Sequence, residues 1–298
     1  MRPINRILCP VDLSDVSQQA IDHAVVMARW HNAAITALHV TNPIVIPSTD
    51  FAVVGYGPSV ALTDDEIKEA RQRVVDCFSA YQPIAVDVVI DSGHPAQRIL
   101  ERAAAWPADL IVIGTHGHGG FERLVLGSVT EKLLRKATCP VMTVPPRAHT
   151  TSQLPFKRLL CPVDFSPSSL AALDCAFSLA KEGDAELTML HVFEWLPEGE
   201  PLPDRHFAVP EYRREIEHEY GKKLQALVPG SSAANWCRPT TRIAHGKAYR
   251  EILTAASQDG ADLIVMGVHG GNALDAMLFG STTNQVVRRA TCPVLTLR

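Results

Sequence analysis

The chain is written twice. RILCPVDLS, beginning at Arg6, returns as RLLCPVDFS beginning at Arg158, and ITALHV ending at Val40 returns as LTMLHV ending at Val192. ADLIVIG ending at Gly114 returns as ADLIVMG ending at Gly267, and ATCPVMTV at the close of the first half returns as ATCPVLTL at the close of the second. The offset is 152 residues between Asp12 and Asp164 and 153 between Gly114 and Gly267, so the two copies are nearly colinear. Self-similarity at this period means two homologous domains in tandem, which fits 298 residues, about twice the ~150 of an ordinary domain. Pro145, Pro146 and the polar run Arg147 to Gln153, closed by Pro155, read as the linker. The expected domains are 1–147 and 153–298, with the linker at about 145–157 and the boundary near Ser152.

Within each copy, strand and helix alternate. Ile7 to Val11 is a short β-rich run, and after Asp12 the apolar residues Ala20, Ile21, Ala24, Val25 and Ala28 recur at helical spacing. The second copy repeats that stripe with Ala172, Leu173, Ala176, Phe177 and Ala180. Strand Ile35 to Val40 follows, then a helix near Asp64 to Tyr81, strand Val86 to Ile90, a helix from about Pro95 to Ala105, strand Leu110 to Ile113, a helix from Ser128 to Lys136 and strand Val141 to Val144. Strands that alternate with helices and read as continuous apolar runs predict a parallel sheet covered on both faces. Each half is therefore expected to be an α/β, doubly wound, Rossmann-like domain with a five-stranded parallel sheet. The final strands, PVMTV and PVLTL, are short, apolar edges, so the halves are expected to pair about a pseudo-two-fold axis, with further pairing of two chains.

Composition excludes several classes. Apolar residues make up 46% and charged residues 20%, enough for a large core and too apolar for disorder. A formal charge of −4, without long single-sign runs, gives no nucleic-acid footprint. The opening apolar run is too short for a signal-peptide core, and no stretch reaches the ~20 apolar residues of a membrane span. Seven cysteines without a Cys-x-x-Cys pattern suggest reduced thiols and a cytoplasmic protein. Cys9 and Cys161, like Cys139 and Cys292, occupy equivalent positions and read as buried, while Cys77, Cys175 and Cys237 have no counterpart.

Ligands of doubly wound sheets sit beyond the carboxyl ends of the strands. There the fourth strand of the first copy runs into GTHGHGGFERLVLGSVTEKLL, in which Gly114, Gly117 and Gly127-Ser128 are separated by two and nine residues. The second copy keeps that spacing with Gly267, Gly270 and Gly280-Ser281. Glycines permit left-handed turns and close backbone approach, and the helix starting at Ser128 directs unpaired N–H groups and its positive dipole end at the loop. This arrangement suits phosphate. The alternative is a plain surface loop, with Ser128 and Glu131 forming only a capping box. A helix terminus contributes ~0.3–1 kcal/mol, up to ~2, whereas micromolar binding requires ~8, so phosphate contacts alone do not suffice. Base and ribose contacts are expected from Pro10, Val11, Asp12 and Val40, and from Pro162, Val163, Asp164 and Val192. An Asp at the first strand end can accept from ribose hydroxyls or merely start the following helix.

Taken together, PVD after the first strand, HV ending the second, GTHG, the nine-residue spacer, GSVTEKLL and CPVMTV resemble the universal stress protein family, here in a tandem two-domain form that covers nearly the whole chain. The resemblance implies ATP binding with accompanying Mg²⁺ and a cytoplasmic, stress-linked regulatory role. It places adenine and ribose contacts on Val11, Asp12 and Val40, and phosphate contacts on Gly114, Thr115, His116, Gly117, Gly127, Ser128, Val129 and Thr130, with Ile113 also among the nucleotide-binding residues. The second copy matches at Val163, Asp164, Val192, Gly267, His269, Gly270, Gly280, Ser281 and Thr283, and departs at Val268, Thr282 and Asn284, the last of which breaks the capping-box pattern; Met266, Val268 and Thr282 are still counted among its nucleotide-binding residues.

Other readings compete for the same residues. An ATP-hydrolysing or phosphotransfer enzyme would ordinarily show Gly-x4-Gly-Lys-Ser/Thr, which is lacking, so any turnover is expected to be slow. A metal site would rest on His116 and His118, a pair that His269 does not repeat, and no resident metal is expected. His39 and His191 read as structural histidines near a sheet edge. A nucleotide-free interaction scaffold is the third alternative. The Pro-rich segments Asn42 to Thr63 and Glu194 to Pro210, which differ most between copies, would carry partner or lid specificity. The expectation is a nucleotide-responsive regulatory module and not a dedicated catalyst.

Overall fold

A computed structural model of the chain describes residues 3–14, 16–41, 44–45, 59–60, 62–81, 84–115, 126–146, 148, 156–194, 210–229, 239–268 and 280–298. It divides into two compact units, Arg2–Pro146 and Arg147–Arg298. The first runs β1 (Arg6–Pro10), α1 (Ser17–His31), β2 (Ala34–Thr41), β3 (Ile44–Val45), β4 (Ser59–Val60), α2 (Asp64–Phe78), β5 (Val86–Ser92), α3 (Pro95–Ala105), β6 (Leu110–Gly114), α4 (Ser128–Lys136) and β7 (Val141–Val144). The second runs β8 (Arg158–Pro162), α5 (Pro167–Gly183), β9 (Glu186–Phe193), α6 (Pro210–Ala226), β10 (Thr240–His245), α7 (Ala248–Gln258), β11 (Leu263–Gly267), α8 (Ser281–Arg289) and β12 (Val294–Leu297).

Each unit is a parallel α/β sheet. Within the first, the strands stand in the order β7-β6-β1-β2-β5, and within the second in the order β12-β11-β8-β9-β10. The chain winds outward one way from β1 and the other way from β6, so a crevice opens between their carboxyl ends. In the second unit the same switch lies between β8 and β11. The Pro-rich segment between β2 and α2 contains a short antiparallel pairing of β3 with β4.

The elements form for reasons visible in their side chains. Every residue of β6 and of β11 is buried, as strands covered on both faces require. α1 packs on β1, β2, β6 and β7 and touches α2, while α3 packs against α4. The predicted stripe of α1 is buried throughout; that of α5 is buried except for half-exposed Phe177, and it takes in Cys175 and Leu179. α1 and α5 end alike, at Asn32 and Asp184 with φ of 52° and 47°, residues that tolerate the left-handed cap. At the opposite end of each sheet, one carboxylate fixes the start of the first strand. Asp109 accepts from the N–H groups of Asn5 and Arg6 at 2.9 Å each, and Asp262 from those of Lys157 and Arg158 at 2.7 and 3.0 Å. Among the described residues, no helix is long and apolar enough to cross a membrane.

Candidate functional site

The crevice has one wall at the end of β1. The β1–β2 ladder closes with Pro10 opposite Leu38 and the Val11 N–H donating to the Leu38 carbonyl at 2.9 Å. His39 Nδ1 then lies 2.7 Å from the Val11 carbonyl oxygen. A carbonyl only accepts, so Nδ1 carries the proton. Past Val11 the chain turns sharply. Asp12 Oδ1 accepts from the Ser14 N–H at 3.1 Å, from the Ser14 hydroxyl at 2.6 Å and from the Ser17 hydroxyl, and the Asp12 N–H donates to Ser17 Oγ at 3.3 Å. This clamp holds Leu13 at φ 62°, a left-handed conformation that a bulky residue adopts only when its surroundings impose it.

The second unit repeats the wall. Val163 donates to the Leu190 carbonyl at 2.8 Å, and His191 Nδ1 lies 2.7 Å from the Val163 oxygen. Asp164 Oδ1 accepts from the N–H and hydroxyl of Ser166 at 3.0 and 2.5 Å, the Asp164 N–H donates to Ser169 Oγ at 3.3 Å, and Phe165 has φ 64°. Neither Asp caps the helix that follows: the N-cap of α1 is Val16 and that of α5 is Ser166. Their task is to close the strand-to-helix turn. The serines that do this with them were missed from sequence, although Asp-x-Ser-x-x-Ser recurs as Asp12, Ser14, Ser17 and as Asp164, Ser166, Ser169. The two histidines lie near a sheet edge as expected, on β2 and β9, each one strand in from the edge strands β5 and β10.

The other wall is the end of β6 with the start of α4. Beyond Ile113 and Gly114, the Thr115 N–H reaches the Val144 carbonyl at 3.0 Å, and the Gly127 N–H returns to the Thr115 carbonyl at 2.9 Å. Buried Thr130 donates its hydroxyl to the Gly114 carbonyl at 2.8 Å, tying α4 to β6. Met266 and Gly267 end β11 in the same way. Val268 donates to Leu297 at 2.7 Å, Gly280 returns to Val268 at 3.1 Å, and Thr283 binds the Gly267 carbonyl at 2.9 Å. The Thr-to-Val departure at 268 thus leaves the backbone path unchanged.

Two expectations about this wall are corrected. Ser128 is not a capping residue: α4 has Gly127 as its N-cap and no side-chain cap, and Glu131 instead pairs with Arg135 at 3.7 Å. α8 likewise starts after Gly280 without a side-chain cap, so Asn284 at the position of Glu131 costs the second unit no cap. Nor do these glycines supply a left-handed turn, because φ is −59° at Gly127 and −56° at Gly280. Close approach explains Gly267, whereas a Cβ on Gly127 would make only ordinary contact. A Cβ on Gly127 would lie 3.4 Å from the Thr115 oxygen, and one on Gly267 would lie 2.7 Å from Ser168 Oγ and 2.8 Å from the Ser168 carbonyl carbon.

At each uncapped helix start, the first N–H groups, those of Ser128, Val129 and Thr130 and of Ser281, Thr282 and Thr283, have no partner within the helix. They meet the crevice with the positive end of the helix dipole. Ser128 and Ser281 are exposed, while Val40 and Val192 on the facing strands are half-buried. His116, Gly117, His118, His269 and Gly270 lie outside the described residues, as does Cys237. In the second unit His191 is enclosed by rings that the sequence had not brought together. It stacks on Tyr220 at 5.1 Å and meets Phe165 and Phe193 at 5.1 and 4.8 Å. Burial lowers its pKa, with the Val163 bond and nearby Asp164 working in the opposite direction. Burial also pushes the thiols of Cys9, Cys175 and Cys292 up to about 12 and that of Cys139 up to about 11, and it raises Cys161 too. They are held as inert thiols.

Comparison with known proteins agrees with this geometry. The model of the family described as "Universal stress protein family" matches residues 3–145 and again 155–298. A universal stress protein of Mycolicibacterium smegmatis is 30% identical over 305 aligned residues, covering 98% of this chain and 96% of its own length. A universal stress protein of Mycobacterium tuberculosis is 27% identical with the same coverage. Among solved structures, a universal stress protein from Archaeoglobus fulgidus superposes with a TM-score of 0.65 at 22% identity, covering 99% of this chain and 98% of that one, which supports the fold.

Proposed function

The chain belongs to the universal stress protein family, and from that premise we propose that each unit binds ATP in the crevice between its first and fourth parallel strands, and that the protein acts as a nucleotide-responsive regulatory module. The observation that carries the reading is the uncapped start of α4, at Gly127, beside the end of β6. Anions are favoured at such a terminus. The clamped Pro10–Asp12 turn and Val40 supply the wall for base and ribose.

The donors present fit a nucleotide's phosphates: backbone N–H groups of 128–130 and the exposed Ser128 hydroxyl in one unit, those of 281–283 and Ser281 in the other. Mg²⁺ would be held chiefly by the phosphates themselves, as this small hard cation usually is, with Ser128 or Ser281 and water completing its shell. Bound there, it would neutralise phosphate charge. The chain's own residues bind and orient the nucleotide, and the proposal assigns none of them to hydrolysis. A stress-linked role in the cytoplasm and pairing of two chains belong to the same reading; Cys9, Cys77, Cys139, Cys161, Cys175 and Cys292, thiols outside any disulfide, suit a reducing compartment.

Titration calorimetry of the full chain with ATP and Mg²⁺ tests this. Saturable heat in the micromolar range, weakened in Gly127→Val, is the expected result. No heat and no nucleotide carried through purification would overturn it, and steady turnover on the same sample would favour the enzyme instead.

A further inference from the structure

The histidines ending β2 and β9 do something a plain parallel ladder does not. In a parallel pair the rungs are evenly spaced, and a residue's N–H and C=O face the same neighbour. The Leu38 carbonyl bonds the Val11 N–H, and the Thr41 carbonyl bonds the Gly93 N–H beyond β5, so residues 38 and 40 face β1 while 39 and 41 face β5. The next β1–β2 rung would run from the Val40 N–H to the Val11 carbonyl. It is not made: the ladder ends at Pro10 opposite Leu38, and the Val11 carbonyl is taken by His39 Nδ1 at 2.7 Å. β2 continues against β5 as far as Thr41 opposite Ser92.

The second unit repeats each feature. Its ladder ends at Pro162 opposite Leu190, His191 Nδ1 occupies the Val163 carbonyl at 2.7 Å, and β9 continues against β10 as far as Phe193 opposite His245. An ordinary rung would satisfy both the Val40 N–H and the Val11 carbonyl. The imidazole satisfies only the carbonyl, and the N–H and C=O of Val40 are left facing the crevice without a ladder partner. Leaving a half-buried backbone pair in this state has a cost, and both copies bear it.

We infer that His39, with His191 as its twin, is a positioning residue: by taking the final acceptor of the first strand it opens the ladder and presents the Val40 N–H and C=O as a donor–acceptor pair for the edge of a planar heterocycle. The inference deepens the proposed ATP binding and rests on it. An adenine edge offers a ring-nitrogen acceptor beside an amino donor, which complements a backbone N–H and C=O; guanine in the same pose presents O6 in place of the amino donor and sets acceptor against the Val40 carbonyl.

The test uses the full chain, with the amide signal of Val40 reporting the first unit alone during ATP titration. His39→Leu removes the donor, and His39→Asn keeps an N–H near the position of Nδ1. His39→Leu is expected to weaken ATP binding at this site about tenfold and to reduce its preference over GTP, while His39→Asn stays within about threefold of the parent. Thermal melting of both variants shows that the loss follows the donor and not the fold. Nitrogen-15 spectra of the ligand-free parent are expected to show the neutral His39 ring carrying its proton at Nδ1, in the bond to the Val11 carbonyl. Parent binding with an unaffected Leu variant, an Asn variant as impaired as Leu, or an Nε2–H tautomer would each overturn the role of His39 while leaving the nucleotide reading intact. A parent that shows no ATP-induced shift overturns both.

Discussion

Asp12 shows how one residue sets the site without being spent on the helix that follows it. Its carboxylate gathers two serine hydroxyls and one N–H, and the left-handed Leu13 depends on that grip. Asp12→Ala is expected to lower stability by about 1–3 kcal/mol, seen as a fall in melting temperature, because it removes the acceptor and frees a strained turn. Sequence pointed to Asp12 through its repeat at Asp164, yet the role stayed open, since a ribose acceptor and a turn-closing carboxylate look alike without coordinates. His23 illustrates the opposite case, a residue with no repeat. On α1 it occupies the position of Cys175 on α5, with Nδ1 2.7 Å from the Gln19 carbonyl and Nε2 enclosed without a partner. Burial lowers its pKa, outweighing the Gln19 bond and nearby Asp22. Its folded value lies below the ordinary ~6.5, so the neutral form is favoured in the fold. Its stabilising effect is complete above that value and is lost as pH falls through it toward the lowered one. Melting curves of the first unit at pH 7 and 5 should therefore differ more in the parent than in His23→Cys.

At the scale of elements, hydrophobic periodicity carried most of the architecture. The strands LIVIG and LIVMG and the stripe of α1 are buried as their patterns require, and α3, α4 and β7 begin and end where the sequence placed them. β2 and β5 run further than predicted because they pair with each other past the point where β1 leaves the ladder. The start of α4 was misjudged by one residue's role: Ser-x-x-Glu looks like a capping box, but Ser128 is already helical and Gly127, which has no side chain to signal a cap, takes the position. That vacancy is open to engineering. Gly127 has φ −59° and ψ 136°, angles an Asp adopts, and its Cβ would meet only the Thr115 oxygen at 3.4 Å and Thr130 Oγ1 at 3.7 Å. Gly127→Asp should cap α4 and raise stability by about 0.3 kcal/mol in a denaturant titration. It should also abolish ATP binding, because its charge would stand where phosphate belongs. A variant that is stabilised and still binds ATP would separate the helix start from the site.

For the whole molecule, the repeat was the most legible feature, and it carries the functional claim furthest. Read from sequence, Val268, Thr282 and Asn284 left the second site uncertain. The structure narrows what those departures change. Val268 keeps the backbone bonds of Thr115, Asn284 follows a helix start that uses no side-chain cap, and the Asp164 turn and the His191 anchor reproduce those of Asp12 and His39. The turn and the anchor recur in residue identities, but the Val268 and Asn284 results could not be read from them, because what the two copies share there is a backbone path. What differs is the surroundings of the second site, where Phe165, Phe193 and Tyr220 enclose His191. The most direct measurement is native mass spectrometry of the full 298-residue chain in Mg²⁺ with excess ATP. Two nucleotides per chain, reduced to one by Gly127→Val or by Gly280→Val and to none by both together, is the predicted result; a chain that carries no nucleotide, or whose bound nucleotide is indifferent to both substitutions, would contradict it.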